Sequence, residues 1–374
     1  MPTYEAPPET TATVEGEKDH LETLGFSAFF AEQLSKAEHA GGIPARIAAE
    51  HRGGYEVWAS SSEGPAQLAG KLRASLEREA LPGVGDWVLV REAPAPDRTA
   101  IIERVLERRT VFTRGAVGRP VRLQVIAANV DLLFVVCGLD GDFNLHRIER
   151  YLSRIWAGGA TPIVLLNKAD LCEQSAARTL EVEMRCRGVA IHAISALHAE
   201  GLEVVRAALR PGLTAAFVGS SGAGKSTLVN ALLGEELMLT GAVRAHDGRG
   251  RHVTTHRQLV LLPGGGLLLD TPGMRELQLV DSDGIDAVFP ELAPLASRCR
   301  FRDCRHAGEP GCAVQAAVEA GELSSDRLEH YRTLEREAQA FERRHDERLR
   351  RQSGRVWGQL YEEALRIRRW KESE

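Results

Sequence analysis

Nine consecutive residues, Gly219-Ser220-Ser221-Gly222-Ala223-Gly224-Lys225-Ser226-Thr227, constrain this chain more than any other stretch. They have the spacing G-x-x-x-x-G-K-S. The β-prone run Thr214 to Val218 precedes them, and Leu228-Val229-Asn230-Ala231-Leu232-Leu233, which reads as the start of a buried helix, follows. Strand, glycine loop and helix in that order let successive backbone N–H groups wrap a phosphate. Lys225 then falls on the outer phosphates, and Ser226 is left to bind Mg²⁺. The positive end of the following helix adds to the same anion site. An ordinary glycine-rich turn would need neither flanking element, so the expected ligand is a nucleoside triphosphate.

Two further stretches bear on which nucleotide. The apolar strand Ile163 to Leu166 ends in Asn167-Lys168-Ala169-Asp170, and Ala190 to Ile194 ends in Ser195-Ala196. Both resemble the base-reading motifs of GTPases. That resemblance implies that Asp170 accepts from the two guanine donors, that Asn167 and Lys168 brace the loop and ring, and that the Ala196 N–H meets the guanine oxygen. Adenine lacks the donor pair, so ATP would leave Asp170 without its partner. The base-reading stretches precede the phosphate loop here, whereas in ordinary GTPases they follow it. A site built at the carboxyl ends of neighbouring parallel strands tolerates that change of chain order, and the domain reads as circularly permuted.

Residues 244–257 contain four arginines and one acid, are broken by Gly248 and Gly250, and show no apolar periodicity, as expected of a mobile first switch. A threonine there should complete the Mg²⁺ shell. Thr254 and Thr255 both qualify, with Thr255 preferred. Farther on, Gln258 to Leu262 and Leu267 to Leu269 read as a hairpin leading into Asp270-Thr271-Pro272-Gly273. Asp270 would hold Mg²⁺ through water, and the Gly273 N–H would bond the γ-phosphate. Many GTPases follow this glycine with a glutamine that orients water, but here the residue is Met274. Slow intrinsic hydrolysis follows, on the order of 10⁻⁴ to 10⁻² s⁻¹. His252 is the candidate for aligning the water, against the alternatives of a solvated loop histidine or an RNA contact. With Lys225, Thr254 and Thr255 it makes up the candidate catalytic set.

Cys299, Cys304, His306 and Cys312 have the spacing C-x4-C-x-H-x5-C within fourteen residues, which fits a closed tetrahedral zinc site. With every position filled by protein, the zinc is expected to be structural. Arg298, Arg300, Arg302 and Arg305 surround the ligands against the single acid Asp303, so the knob also suits a phosphate backbone. Cys137, Cys172 and Cys186 are scattered and read as reduced packing residues. Net charge is −5, but residues 1–40 carry −6 and residues 341–374 carry +3, which leaves the body near neutral. Nucleic-acid binding must therefore come from local patches. The N-terminus lacks the basic start and apolar core of a signal peptide, and no apolar run is long enough to span a membrane, so a cytoplasmic protein is expected.

Residues 1–20 are too polar to support a core, and Leu21 to Ala37 could form a short docking helix. From about Pro44, five strands are expected at Ala45–Ala49, Tyr55–Trp58, Gln67–Leu76, Asp86–Val90 and Ala100–Val105, as in a small OB-type barrel. Arg46, Arg52, Lys71, Arg73, Arg91 and Arg104 would give it charge for RNA. Arg108 to Pro120 reads as a basic linker, Leu145 to Ala157 as a helix, and Leu323–Glu347 and Val356–Trp370 as closing helices.

Taken together, Gly85-Asp86-Trp87-Val88, NKAD, Ser195-Ala196, GSSGAGKST, His252 to Thr255, DTPG and the CRFRDCRH…GC knob resemble the RsgA, or YjeQ, family of circularly permuted GTPases over about residues 44–340. Val253 stands where that family usually has the first of three threonines. The expected fold is mixed α/β: an acidic extension, partly disordered, over 1–43; an OB-fold RNA-binding domain over 44–112; a permuted P-loop GTPase domain with a parallel sheet and flanking helices over 113–280; and a zinc-binding helical domain with a basic tail over 281–374. The resemblance implies binding to the 30S ribosomal subunit through 16S rRNA late in its maturation. It also implies GTP hydrolysis to GDP stimulated by the subunit, with Mg²⁺ bound to the nucleotide. A monomer away from membranes is expected. The competing class is a GTP-regulated RNA-binding scaffold in which hydrolysis is incidental.

Overall fold

A computed structural model describes residues 20–34, 42–51, 53–77, 80–116, 122–240, 257–270 and 283–343. The tail over 1–19, the switch residues His252, Val253, Thr254 and Thr255, the stretch from Thr271 to Met274, and the helix expected at Val356–Trp370 lie outside the described residues. The chain divides into two compact units, residues 1–114 with 124–277 and residues 115–123 with 278–374.

The first unit begins with a barrel of β1 (Ile43–His51), β2 (Gly54–Trp58), β3 (Glu63–Leu68), β4 (Trp87–Val90) and β5 (Ala100–Val105). The strands pair in the order β1-β2-β3-β5-β4, and β4 returns to β1 to close the ring. Only β3–β5 is parallel. A helix, Gly70–Ser75, fills the connection after β3, completing an OB-type topology. The third expected strand, Gln67–Leu76, is corrected by this. The strand lies earlier, at Glu63–Leu68, and the remainder is helical. Lys71, Leu72, Arg73 and Ala74 favour a helix, and in this turn Leu72 packs against the barrel core, a demand one helical turn meets. Ala45, Ile47, Val57, Val88, Val90 and Ile102 fill the interior.

Arg46, which the sequence offers as charge for RNA, points inward and is 1% exposed. It donates to the carbonyls of Leu24, Gly85 and Asn129, and its guanidinium lies 5.7 Å from the Trp87 ring centre. Burial lowers its pKa to about 10. Arg46 is therefore a structural cation, satisfied by carbonyl dipoles. The short helical segments at 20–23 and Ala28–Leu34 cover the same place. Leu24 and Phe30 are buried beside Trp87, Leu106 and Leu267, and Phe26 meets the Trp87 ring edge-on at 4.8 Å.

Next come β6 (Val111–Ala116) and β7 (Arg122–Ala128), which pair with each other, so the expected basic linker contains a strand. The local cause is Phe112, 3% exposed, which draws that stretch out of solvent. Then follow β8 (Leu132–Gly138), β9 (Thr161–Asn167), β10 (Ala190–Ala193), β11 (Thr214–Val218), β12 (Gln258–Leu261) and β13 (Leu267–Asp270). Their spatial order is β10-β9-β8-β11-β13-β12, all parallel except β12, which is antiparallel to β13. The nearly continuous apolar run of β8 reflects burial on both faces, as a central parallel strand requires. At Ala49, opposite Gln258, β1 also pairs with β12, so barrel strands and parallel strands belong to one eleven-stranded sheet.

In the second unit, short helices at Asp283–Val288, Leu292–Ala296 and Ala313–Glu319 accompany a helix running through 325–343. Arg327 ties the last of these to the first two. It donates to Glu291 at 2.6 Å and to the Val288 carbonyl at 2.7 Å, and lies 4.3 Å over the Phe289 ring. Among the described residues no helix is long and apolar enough to cross a membrane.

Candidate nucleotide site and metal centre

Because β8, β9, β10, β11 and β13 run in parallel, their carboxyl ends open on one edge of the sheet. That edge is where a doubly wound sheet keeps its ligand. Asn167 is the last residue of β9, the glycine loop follows β11, Ser195-Ala196 follows β10, and Asp270 ends β13.

Asn167 joins three of these. It is 2% exposed, donates from Nδ2 to the Ala223 carbonyl at 2.8 Å, and accepts at Oδ1 from the Ala196 N–H at 2.9 Å. One amide thus sets the spacing between the base-side loops and the phosphate loop. Gly224, at φ +95, lets the loop come this close, since a Cβ there would lie 2.1 Å from Asn167 Nδ2.

Lys225 opens the helical run Lys225–Thr240, which is kinked at Gly234, and donates from Nζ to the Gly219 and Ser220 carbonyls at 2.7 and 2.6 Å. Its ammonium therefore lies over the loop. Ser221, Gly222, Ser226 and Thr227 are exposed around it. Lys168 takes a left-handed conformation, φ 65, just before the turn Ala169–Leu171. Asp170 Oδ2 lies 3.8 Å from His198 Nε2, and Ser195 Oγ accepts from the His198 N–H at 3.3 Å. His252, Thr254, Thr255 and Gly273 fall outside the described residues.

Two carboxylates in the loop after β8, Asp140 and Asp142, belong to none of the sequence motifs. Asp140 pairs with Lys168, whose hydrogen bond holds the Asp140 carboxyl below its ordinary pKa. Asp142 accepts from the Ser220 hydroxyl and from Arg147 Nη2, the latter at 2.8 Å. Their signal was positional: two acids immediately beyond a buried strand, at the same sheet edge as the motifs.

In the second unit the sulfur and imidazole atoms of Cys299, Cys304, His306 and Cys312 lie within 4.8 Å of one another. A tetrahedral ion with bonds of about 2.3 Å to sulfur and about 2.05 Å to nitrogen needs S···S edges of about 3.8 Å and S···N edges of about 3.6 Å. Cys299 and Cys312 Sγ are 3.9 Å apart and lie 3.6 and 3.5 Å from His306 Nδ1. The four residues fit one zinc-sized ion, and burial lowers the His306 pKa, favouring the neutral ligand form. Cys312 also caps the helix Ala313–Glu319, its Sγ accepting from the Gln315 N–H at 3.3 Å. Arg298, Arg300, Arg302 and Arg305 are all exposed around the knob, beside Phe301 at 43% exposure.

A glycine loop between strand and helix, reached in sequence only after the base-side loops it touches, defines a P-loop nucleotide-binding protein with permuted strand order. The sequence profile described as RsgA GTPase matches residues 105–280. A relative from Opitutus terrae, the small ribosomal subunit biogenesis GTPase RsgA, is 44% identical over 352 residues, 91% of this chain and 96% of its own. The chain belongs to the RsgA GTPase family. Its fold resembles the crystal structure of YjeQ from Thermotoga maritima, at 27% identity and a TM-score of 0.59, covering 79% of this chain and 98% of that one. It also resembles YloQ, described as a circularly permuted GTPase, at 25% identity and a TM-score of 0.57, covering 81% and 97%.

Proposed function

We propose that this chain binds the 30S ribosomal subunit through 16S rRNA and hydrolyses GTP to GDP and phosphate late in small-subunit maturation, with the subunit stimulating turnover. The observation that carries the nucleotide half is Asn167, whose one amide holds the Ala196 and Ala223 loops together. Support for the ribosomal half comes from relatives named for small-subunit biogenesis that align over nearly the whole chain.

In this reading Asp170 selects guanine, and the Ala196 N–H shares its hydrogen between Asn167 Oδ1, which it already meets at 2.9 Å, and the guanine oxygen. Residues Gly219 to Thr227 wrap the phosphates, with Lys225 countering charge that develops on the outer ones. Ser226, Thr255 and Asp270 hold Mg²⁺, which neutralises phosphate charge when bound. Gly273 bonds the γ-phosphate, and His252 aligns water in place of the glutamine that Met274 replaces. Zinc held by Cys299, Cys304, His306 and Cys312 is structural. The chain acts as a monomer, organised as the extension, barrel, GTPase and zinc parts with boundaries near 43, 112 and 280. Barrel contacts to RNA fall to exposed residues such as Lys71 and Arg73, because Arg46 is buried.

GTP turnover by the protein alone, with 30S subunits and with 50S subunits, at one fixed salt concentration, tests the proposal. A slow basal rate raised tenfold or more by 30S alone supports it. Equal rates in all three leave the scaffold reading.

A further inference from the structure

β8 and β9 pair in register with Gly138 opposite Asn167, so the loop that leaves β8 runs beside the one that leaves β9. Asp140 lies two residues past that register point and Lys168 one. A side chain at residue 138 would meet Asp140 Oδ1 at 2.6 Å, so glycine there leaves room for the carboxylate to fold back over the sheet edge. Oδ1 also accepts from the Asp142 N–H at 3.2 Å, which fixes the carboxylate to its own loop. The other oxygen, Oδ2, takes the Lys168 ammonium, in a pair whose side chains are 33% and 28% exposed. The same loop reaches the phosphate side through Asp142 and the Ser220 hydroxyl.

We infer that Asp140 is a positioning residue for the guanine base, anchoring the Lys168 ammonium so that the lysine stem lies across the edge of the site as an apolar rail for the flat ring. The inference rests on the guanine-nucleotide reading given above. A lysine stem has four rotors, and an unanchored one must be ordered when the base arrives. Anchored by Asp140, it is ordered in the folded protein, and that entropy no longer opposes binding. The pair also occupies the Lys168 charge locally and leaves the phosphates to Lys225.

Stopped-flow release of a fluorescent methylanthraniloyl GDP from the full chain tests this, using wild type, Asp140→Asn, Lys168→Ala and the double variant. Asp140→Asn is expected to speed release by about two- to five-fold, the range of a partly exposed ion pair. Lys168→Ala should be at least as fast, and Asp140→Asn should add nothing on that background, with unfolding midpoints matching wild type. Should Asp140→Asn fail to fold, Lys168→Met keeps the stem, removes its anchor, and should show the same acceleration. An Asp140→Asn effect that persists without Lys168 overturns the inference, as does unchanged or slower release. The guanine reading is tested separately, by competing the same probe with xanthosine diphosphate against Asp170→Asn. Failure of that exchange of preference sinks the base assignment, whereas its success with an additive cycle sinks Asp140 alone.

Discussion

Replacing Asn167 with alanine should cost about 2–4 kcal/mol of folding stability. The side chain satisfies the Ala223 carbonyl at 2.8 Å and the Ala196 N–H at 2.9 Å. Those residues are 0% and 4% exposed, so neither freed group can turn to water without opening the loop. A buried polar group left without its partner costs about 1–3 kcal/mol, and partial relaxation of the two loops brings the pair to the stated range. Against a typical domain stability of about 5–15 kcal/mol, the loss is large enough to measure as a lower urea midpoint at constant slope. Asn167→Asp sharpens the test. It keeps an acceptor for the Ala196 N–H but sets a second acceptor against the Ala223 carbonyl, so it should be at least as damaging as alanine. A loss under about 1 kcal/mol for alanine, or an aspartate variant as stable as wild type, would refute the bridging role.

Asp86, 0% exposed, accepts from Arg108 at Nε and Nη2, both at 2.8 Å, and from the Gly83 N–H at 2.8 Å; Asp86→Asn should lower stability by about 3–5 kcal/mol in urea unfolding, because Arg108 is left part-buried without its counter-charge. The purified protein should carry close to one zinc per chain by elemental analysis. Cys312→Ala should lower that content at least tenfold and reduce helical circular dichroism, since it removes both a ligand and the cap of Ala313–Glu319.

The nucleotide edge was legible because its chemistry is local in sequence. A glycine loop, NKAD and Ser195-Ala196 each end a short apolar run, and a parallel sheet brings such ends together whatever their chain order. The zinc set was legible for the same reason, all four ligands lying within fourteen residues. What escaped depends on contacts between distant residues. Gly70–Ser75 reads as either strand or helix until the barrel around it supplies one place for Leu72. Arg46 looks like surface charge until three carbonyls from distant segments converge on it. Asp140 and Asp142 belong to no motif, and only the register of β8 on β9 sets one of them beside Lys168.

The pairing of β1 with β12 bears on how the chain folds as it leaves the ribosome that makes it. The barrel can close early, because its strands all lie between Ile43 and Val105. The parallel sheet cannot close in order of synthesis. β8 emerges with one edge open, and its neighbour β11 arrives only after β9 and β10. β13 comes last yet takes an interior place beside β11, and β12 joins it to a barrel strand made some two hundred residues earlier. Such late, long-range closures are slow. The final strands to appear are therefore the ones that weld the barrel to the nucleotide sheet, and until they arrive the nascent chain carries open edges that invite mispairing.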